Sequence, residues 1–125
     1  MVEIEVVNRS GADVELDAAA DLVRQVLSAE GVDEGELGLA LVGPGEIRRL
    51  KRDHLGLDEE TDALAFPIDG RDALPDGLPR QLGDVVLCPQ VVGDAWRAPL
   101  VHAVLHLLGY DHGAAMEARE REHAE

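Results

Sequence analysis

The hydrophobic period changes within the first thirty residues, and that switch restricts the fold more than any other feature of the chain. Val2, Ile4 and Val6 alternate with Glu3 and Glu5, the period-two pattern of a strand with one buried face. Over residues 17–30 the spacing becomes helical, with Ala19, Leu22, Val23, Val26 and Leu27 on one face, Asp17 as the expected N-cap and Gly31 just past the end. Leu37, Leu39 and Leu41 alternate again as a second strand, broken by Gly43-Pro44-Gly45. Ile47, Leu50 and His54 then share one face of a short helix with Pro44 in its first turn. Residues 63–68 read as a short strand in which Pro67 marks an edge or an end. Residues 69–81, with Gly70, Pro75, Gly77 and Pro79, form a surface loop, and 82–88 a buried strand. A helix is expected from Pro99 to Leu108, stopped by Gly109, and residues 114–125 read as a terminal helix with a solvated face on which His123 is exposed. The order β-α-β-α-β-β-α-α predicts an α/β protein of the α+β type, a single domain over 1–125 with one mixed four-stranded sheet and helices packed on it.

Composition narrows the function classes. At 125 residues with 46% hydrophobic and 2% aromatic side chains, the chain carries a Val/Leu/Ala core and is too apolar to be an acidic disordered segment. Eleven basic against 26 acidic residues give a net charge of −15, which excludes a polycationic binder held mainly by phosphate neutralisation. The single cysteine, Cys88, rules out an intramolecular disulfide and reads as a small core residue. The acidic N-terminus lacks the pattern of a signal peptide, and the longest apolar stretch, 98–108, falls short of the roughly 20 residues that span a bilayer. A cytoplasmic protein without membrane contact is expected.

The chemistry concentrates in His102-Ala103-Val104-Leu105-His106-Leu107-Leu108-Gly109-Tyr110-Asp111-His112. Side chains four apart on a helix stand one above the other, so His102 and His106 can address one ion, while Val101, Leu105 and Leu108 face the core. Gly109 can take the left-handed conformation that ends the helix and returns the chain, bringing His112 from a third direction. Three imidazoles around one point suit a tetrahedral zinc with an open position; nickel, cobalt or iron would accept the same donors. The alternative is a set of buried, hydrogen-bonded packing histidines. Metzincin proteases share this spacing but need a glutamate after the first histidine; here Ala103 stands there, which disfavours peptide hydrolysis. A His₃ zinc lowers the pKa of its water to about 7, and a phosphodiester is a substrate that can use it. Asp111 either orients a ligand or caps the turn.

The same residues resemble the signature of the bacterial YbeY family of zinc-dependent endoribonucleases and rRNA maturation factors, His-Gly-x-Leu-His-Leu-x-Gly-Tyr-Asp-His. Thr61-Asp62-Ala63-Leu64-Ala65-Phe66-Pro67 is similar to the family's Thr-Asp-Val-Leu-Ser-Phe-Pro, and the segment from Leu82 to Cys88 to its Leu-Gly-Asp-Ile-x-Ile strand. The resemblance implies one zinc on His102, His106 and His112. It also implies hydrolytic cleavage of single-stranded RNA in 16S rRNA 3′ maturation and ribosome quality control, with the small ribosomal subunit, its proteins or assembly factors as partners; the oligomeric state stays open. Four departures stand out. Leu55 occupies the family's arginine position, Ala103 and Ala65 replace its Gly and Ser, and the stretch between the Asp84 strand and His102 is about ten residues shorter.

An apolar Leu55 cannot hold a phosphate, and a cation from the basic run on the second helix is the expected substitute. Arg52, one turn earlier, or Lys51 is the expected replacement. Arg52 and Asp111 are therefore the candidate catalytic groups, and Arg48, Arg49, Lys51 and Arg52 the candidate RNA contacts, against the alternative of a solvated helix face. Thr61-Asp62 and Asp84 are expected to shape loops through turn hydrogen bonds, His54 to pack, and Trp96 to pack in the core or at its rim. Two rival readings remain: a ribosome-assembly factor with a structural zinc and weakened catalysis, and a metal-dependent hydrolase of another substrate.

Overall fold

A computed structural model describes residues 2–59, 61–69, 74–75, 77–110 and 114–123. The elements are β1 (Val2–Asn8), α1 (Leu16–Ala29), β2 (Gly35–Leu41), α2 (Pro44–Leu55), β3 (Ala63–Pro67), β4 (Gln81–Leu87), α3 (Pro89–Val92), α4 (Arg97–Leu107) and α5 (Ala114–His123). The sheet has the order β1-β2-β4-β3. β1 pairs with β2 and β2 with β4 in parallel, while β3 runs antiparallel to β4, which makes the sheet mixed. Pro67 ends the edge strand, where its missing N–H disturbs no interior ladder.

Both faces of the sheet are used, unequally. Leu37, Leu39, Leu41, Val85 and Leu87 point to one face and meet Ala19, Val23, Val26 and Leu27 of α1 and Leu100, Val104 and Leu105 of α4. On the other face Ile47 of α2 packs with Leu64 and Val86 beside Val42 and the buried Cys88. This double cover explains why β4 is nearly continuously apolar. Trp96 is buried with the larger cluster, as expected, and Arg97 lies over its ring at 4.4 Å.

Four features differ from the periodicity reading. Helix α1 starts at Leu16 with Glu15 at the N-cap position and no side-chain cap, so Asp17 lies inside its first turn. The four-residue α3 follows Cys88, where a proline at its start and Gly93 at its end leave too short a segment for a period. Helix α4 begins at Arg97, because Pro99 is tolerated within a first turn whose N–H groups have no intrahelical acceptor. His123 is the largest departure. Its side chain is 9% exposed, not solvated, for reasons given below.

Gly83 sets how closely α4 approaches the sheet. Its φ is +137°, and a Cβ there would stand 2.4 Å from the Phe66 carbonyl oxygen and 2.7 Å from Leu107 Cδ1. Only glycine allows β4 to lie this near both its antiparallel neighbour and the helix above it. Among the described residues no helix is long and apolar enough to cross a membrane.

Candidate metal centre

Helix α4 is apolar almost all round, as a helix enclosed between α1 and the sheet must be. From Leu100 to Leu108 every position is buried except His102 and His106. Two half-exposed imidazoles one turn apart on an otherwise sealed helix are not core packing residues. They face a cleft of about 620 Å³ bordered by α2, the start of β3 and the end of α4. Their ring centroids are 4.7 Å apart and nearly perpendicular, at 79°.

The turn after His106 has the geometry expected of it. Gly109 takes φ +100°, its N–H donates to the His106 carbonyl, and the Tyr110 N–H donates to the Leu105 carbonyl. This pair of bonds is a Schellman motif, which satisfies the last carbonyls of α4. Asp111 and His112, the expected orienting carboxylate and third ligand, lie outside the described residues. Among the described residues no group of three or more His, Cys, Asp or Glu side chains could hold a metal ion. The donor chemistry of the pair nevertheless fits an imidazole-bound metal. His102 Nδ1 lies 2.7 Å from Glu120 Oε1 of α5, the carboxylate–histidine arrangement that accompanies ligating imidazoles.

Glu120 and the group that holds its helix were absent from the sequence reading. Glu30 closes α1 at the C-cap position, where Gly31 and Val32 donate back to Ser28 and Leu27. A carboxylate at a helix C-terminus opposes the macrodipole and requires partners. Glu30, 2% exposed, accepts from the Tyr110 hydroxyl at 2.6 Å, from Arg119 and from His123 Nε2 at 3.0 Å. Burial pushes its pKa up, but hydrogen bonds from Tyr110, Arg119 and His123 and the charge of Arg119 outweigh that and hold it at about 2. The terminal helix, expected to carry a solvated face, is thus docked beside the histidine pair. The signal was the spacing of Met116, Glu120 and His123 along one helix face.

The basic run is arranged differently from a bare cationic face. Of its four members Lys51 lines the cleft, 15% exposed, with Nζ 2.8 Å from Glu59. Arg48 pairs with Asp58 at 2.7 Å and Arg52 with Asp53 at 3.3 Å, both about half exposed; Arg49 is exposed. The acids of the following loop, Asp58 and Glu59, fold back on the helix. Leu55 also lines the cleft and is 57% exposed. Thr61 and Asp62 border it, with Asp62 Oδ1 accepting from the Ala63 N–H at 2.7 Å and the Asp62 carbonyl from the Cys88 N–H at 2.9 Å, the structural role expected. His54 packs on Phe66 at 5.0 Å. Asp84 does not shape a loop at the cleft. It stands in mid-strand over Gly38 on the half of the sheet that α2 leaves open.

Comparison with known proteins identifies the fold and the family. The solution structure of TM1509 from Thermotoga maritima superimposes with a TM-score of 0.62 at 23% identity, covering 96% of this chain and 85% of that one, which establishes the shared fold. The Endoribonuclease YbeY of Salinispora tropica is 39% identical over 95% of this chain and 88% of its own length. That of Mycobacterium ulcerans is 35% identical over 95% and 76%. The Salinispora alignment spans 139 positions against the 125 residues here, so the relative carries residues that this chain lacks. With the profile of the family Endoribonuclease YbeY matching residues 5–125, the chain belongs to that family.

Proposed function

We propose that this protein is a metal-dependent, single-strand-specific endoribonuclease of rRNA maturation and ribosome quality control, holding one zinc ion on His102, His106 and His112. The observation that carries the reading is the half-exposed His102–His106 pair, turned into a cleft on an otherwise buried helix in a chain of this family. A divalent ion there supplies Lewis acidity and a water ionisable near neutral pH. The protein's own groups supply the rest. Lys51 is the side chain of the basic run best situated to meet a phosphate oxygen. Its present partner Glu59 is 61% exposed, and a surface pair worth at most about 1 kcal/mol yields readily to a phosphate. Leu55 and Ala65, both lining the cleft, leave an apolar wall against which a base can lie. The −15 charge limits binding to bare RNA, so a ribosomal particle supplies much of the placement.

The test is incubation of metal-replete protein with single-stranded rRNA fragments beside a His106→Ala control. Cleavage lost in the control supports the reading; equal cleavage in both contradicts it. One observation favours a second reading, an assembly factor with a structural zinc: exposed, apolar Leu55 stands in the cleft at the family's arginine position. A Leu55→Arg variant that gains cleavage where the parent has none supports this alternative, and a parent already active removes it.

A further inference from the structure

We propose that Glu120 is a positioning residue for His102, carried to it by a C-terminal helix whose docking depends on Glu30. The inference deepens the reading above and rests on His102 being a metal ligand. Glu120 Oε1 lies 2.7 Å from His102 Nδ1. An ionised carboxylate only accepts, so Nδ1 carries the hydrogen and the acceptor lone pair of the ring sits on Nε2. A carboxylate behind an imidazole also fixes the rotation of the ring and raises the donor strength of its other nitrogen.

The contact is built in, because α5 has no freedom to place Glu120 elsewhere. Met116, 1% exposed, enters the core one turn before Glu120. Arg119 and His123, again one turn apart, both reach the buried carboxylate of Glu30. The apolar anchor and the ionic anchor fix both the rotation and the axial position of the helix, and Glu120 comes to lie against α4. Tyr110 donates to the same Glu30, so one buried carboxylate ties down the chain on both sides of the segment that carries His112.

Two readouts test this, neither depending on RNA cleavage. The first is zinc affinity by competition with a chromophoric chelator, compared across wild type, Glu120→Ala, Glu120→Gln, His102→Ala and a Glu117→Gln control on the exposed side of α5. Glu120→Ala is expected to weaken zinc 10- to 100-fold, with Glu120→Gln between it and wild type and Glu117→Gln unchanged. The second is the tautomer of His102 in the metal-free protein, read by long-range proton–nitrogen NMR at alkaline pH. Wild type is expected in the Nδ1–H form, and Glu120→Ala to move toward the Nε2–H form that a solvated imidazole prefers. If Glu120→Ala does not fold, the isosteric Glu120→Gln carries the affinity measurement and the wild type alone the tautomer, because an amide oxygen accepts from Nδ1–H as a carboxylate does. Wild-type affinity in His102→Ala overturns the metal reading and this proposal with it. Loss of zinc in His102→Ala together with wild-type affinity in Glu120→Ala overturns the role of Glu120 alone, as does an Nε2–H tautomer in the wild type.

Discussion

Replacing Glu30 by Gln keeps the shape of the side chain and removes its charge, and the structure sets both the size and the pH profile of the loss. Glu30 titrates at about 2 in the folded protein against its ordinary 4.5. At 1.36 kcal/mol for each tenfold change in proton affinity, the ionised, partnered carboxylate contributes roughly 3 kcal/mol. The folded value is depressed, so the contribution is complete above about pH 4.5 and is lost as the pH falls from there toward 2, where the unfolded chain takes up a proton that the folded one refuses. Urea denaturation of wild type and Glu30→Gln between pH 7 and pH 2.5 measures the difference directly, with the other carboxylates cancelling in the subtraction. At pH 7 the variant should be less stable by roughly 3 kcal/mol, about 10 °C in melting temperature for a chain of this size. At pH 2.5, half a unit above the folded value, the difference should have fallen to about 1 kcal/mol. A difference below about 1 kcal/mol at pH 7, or one that stays constant down to pH 2.5, would refute the assignment of Glu30 as the ionised anchor of α5.

Further outcomes follow from the same geometry. Gly83→Ala puts a Cβ 2.4 Å from the Phe66 carbonyl at φ +137° and should cost about 3 kcal/mol by strain and overpacking; a thermal melt within 2 °C or so of wild type would contradict the close approach of α4. Lys51→Ala should weaken single-stranded RNA binding and flatten its salt dependence by about 0.7 in log–log slope at unchanged zinc content. Arg52→Ala, a half-exposed residue paired to Asp53, should change both far less, and equal effects would return the role to the whole basic face. Neutralising Arg48, Arg49, Lys51 and Arg52 together without loss of cleavage would remove that face from the reaction altogether.

What could be read from the chain depended on the range of the interaction. Alternation in β1 and β2 and the helical spacing of α1 and α2 are local patterns, and the structure has them with boundaries shifted by a residue or two. The mixed sheet follows because α1 crosses over between parallel β1 and β2, whereas the short edge strand with Pro67 returns antiparallel. His102 and His106 were legible because a helix guarantees that residues four apart share a face, and Gly109 because a glycine after the last apolar turn is a helix stop. His123 was misread for the opposite reason. Its partner Glu30 is 93 positions away, and no local pattern records such a bond. The same holds for Glu120 on His102 and for the acids that fold back on the basic helix. Helix caps fall between these cases: Asp17 has the right chemistry for an N-cap, but packing of α1 on the sheet starts the helix two residues earlier, with Glu15 at the N-cap position.

The central claim is that RNA cleavage depends on one metal ion held by the histidine motif. Titrating zinc into metal-free protein while following cleavage of a single-stranded rRNA fragment tests it in one measurement. Activity should rise in proportion to added zinc and stop rising at one equivalent per chain, with no rise in His102→Ala, His106→Ala or His112→Ala. Cleavage at full rate by the metal-free protein, or the same titration curve in the histidine variants, would contradict it.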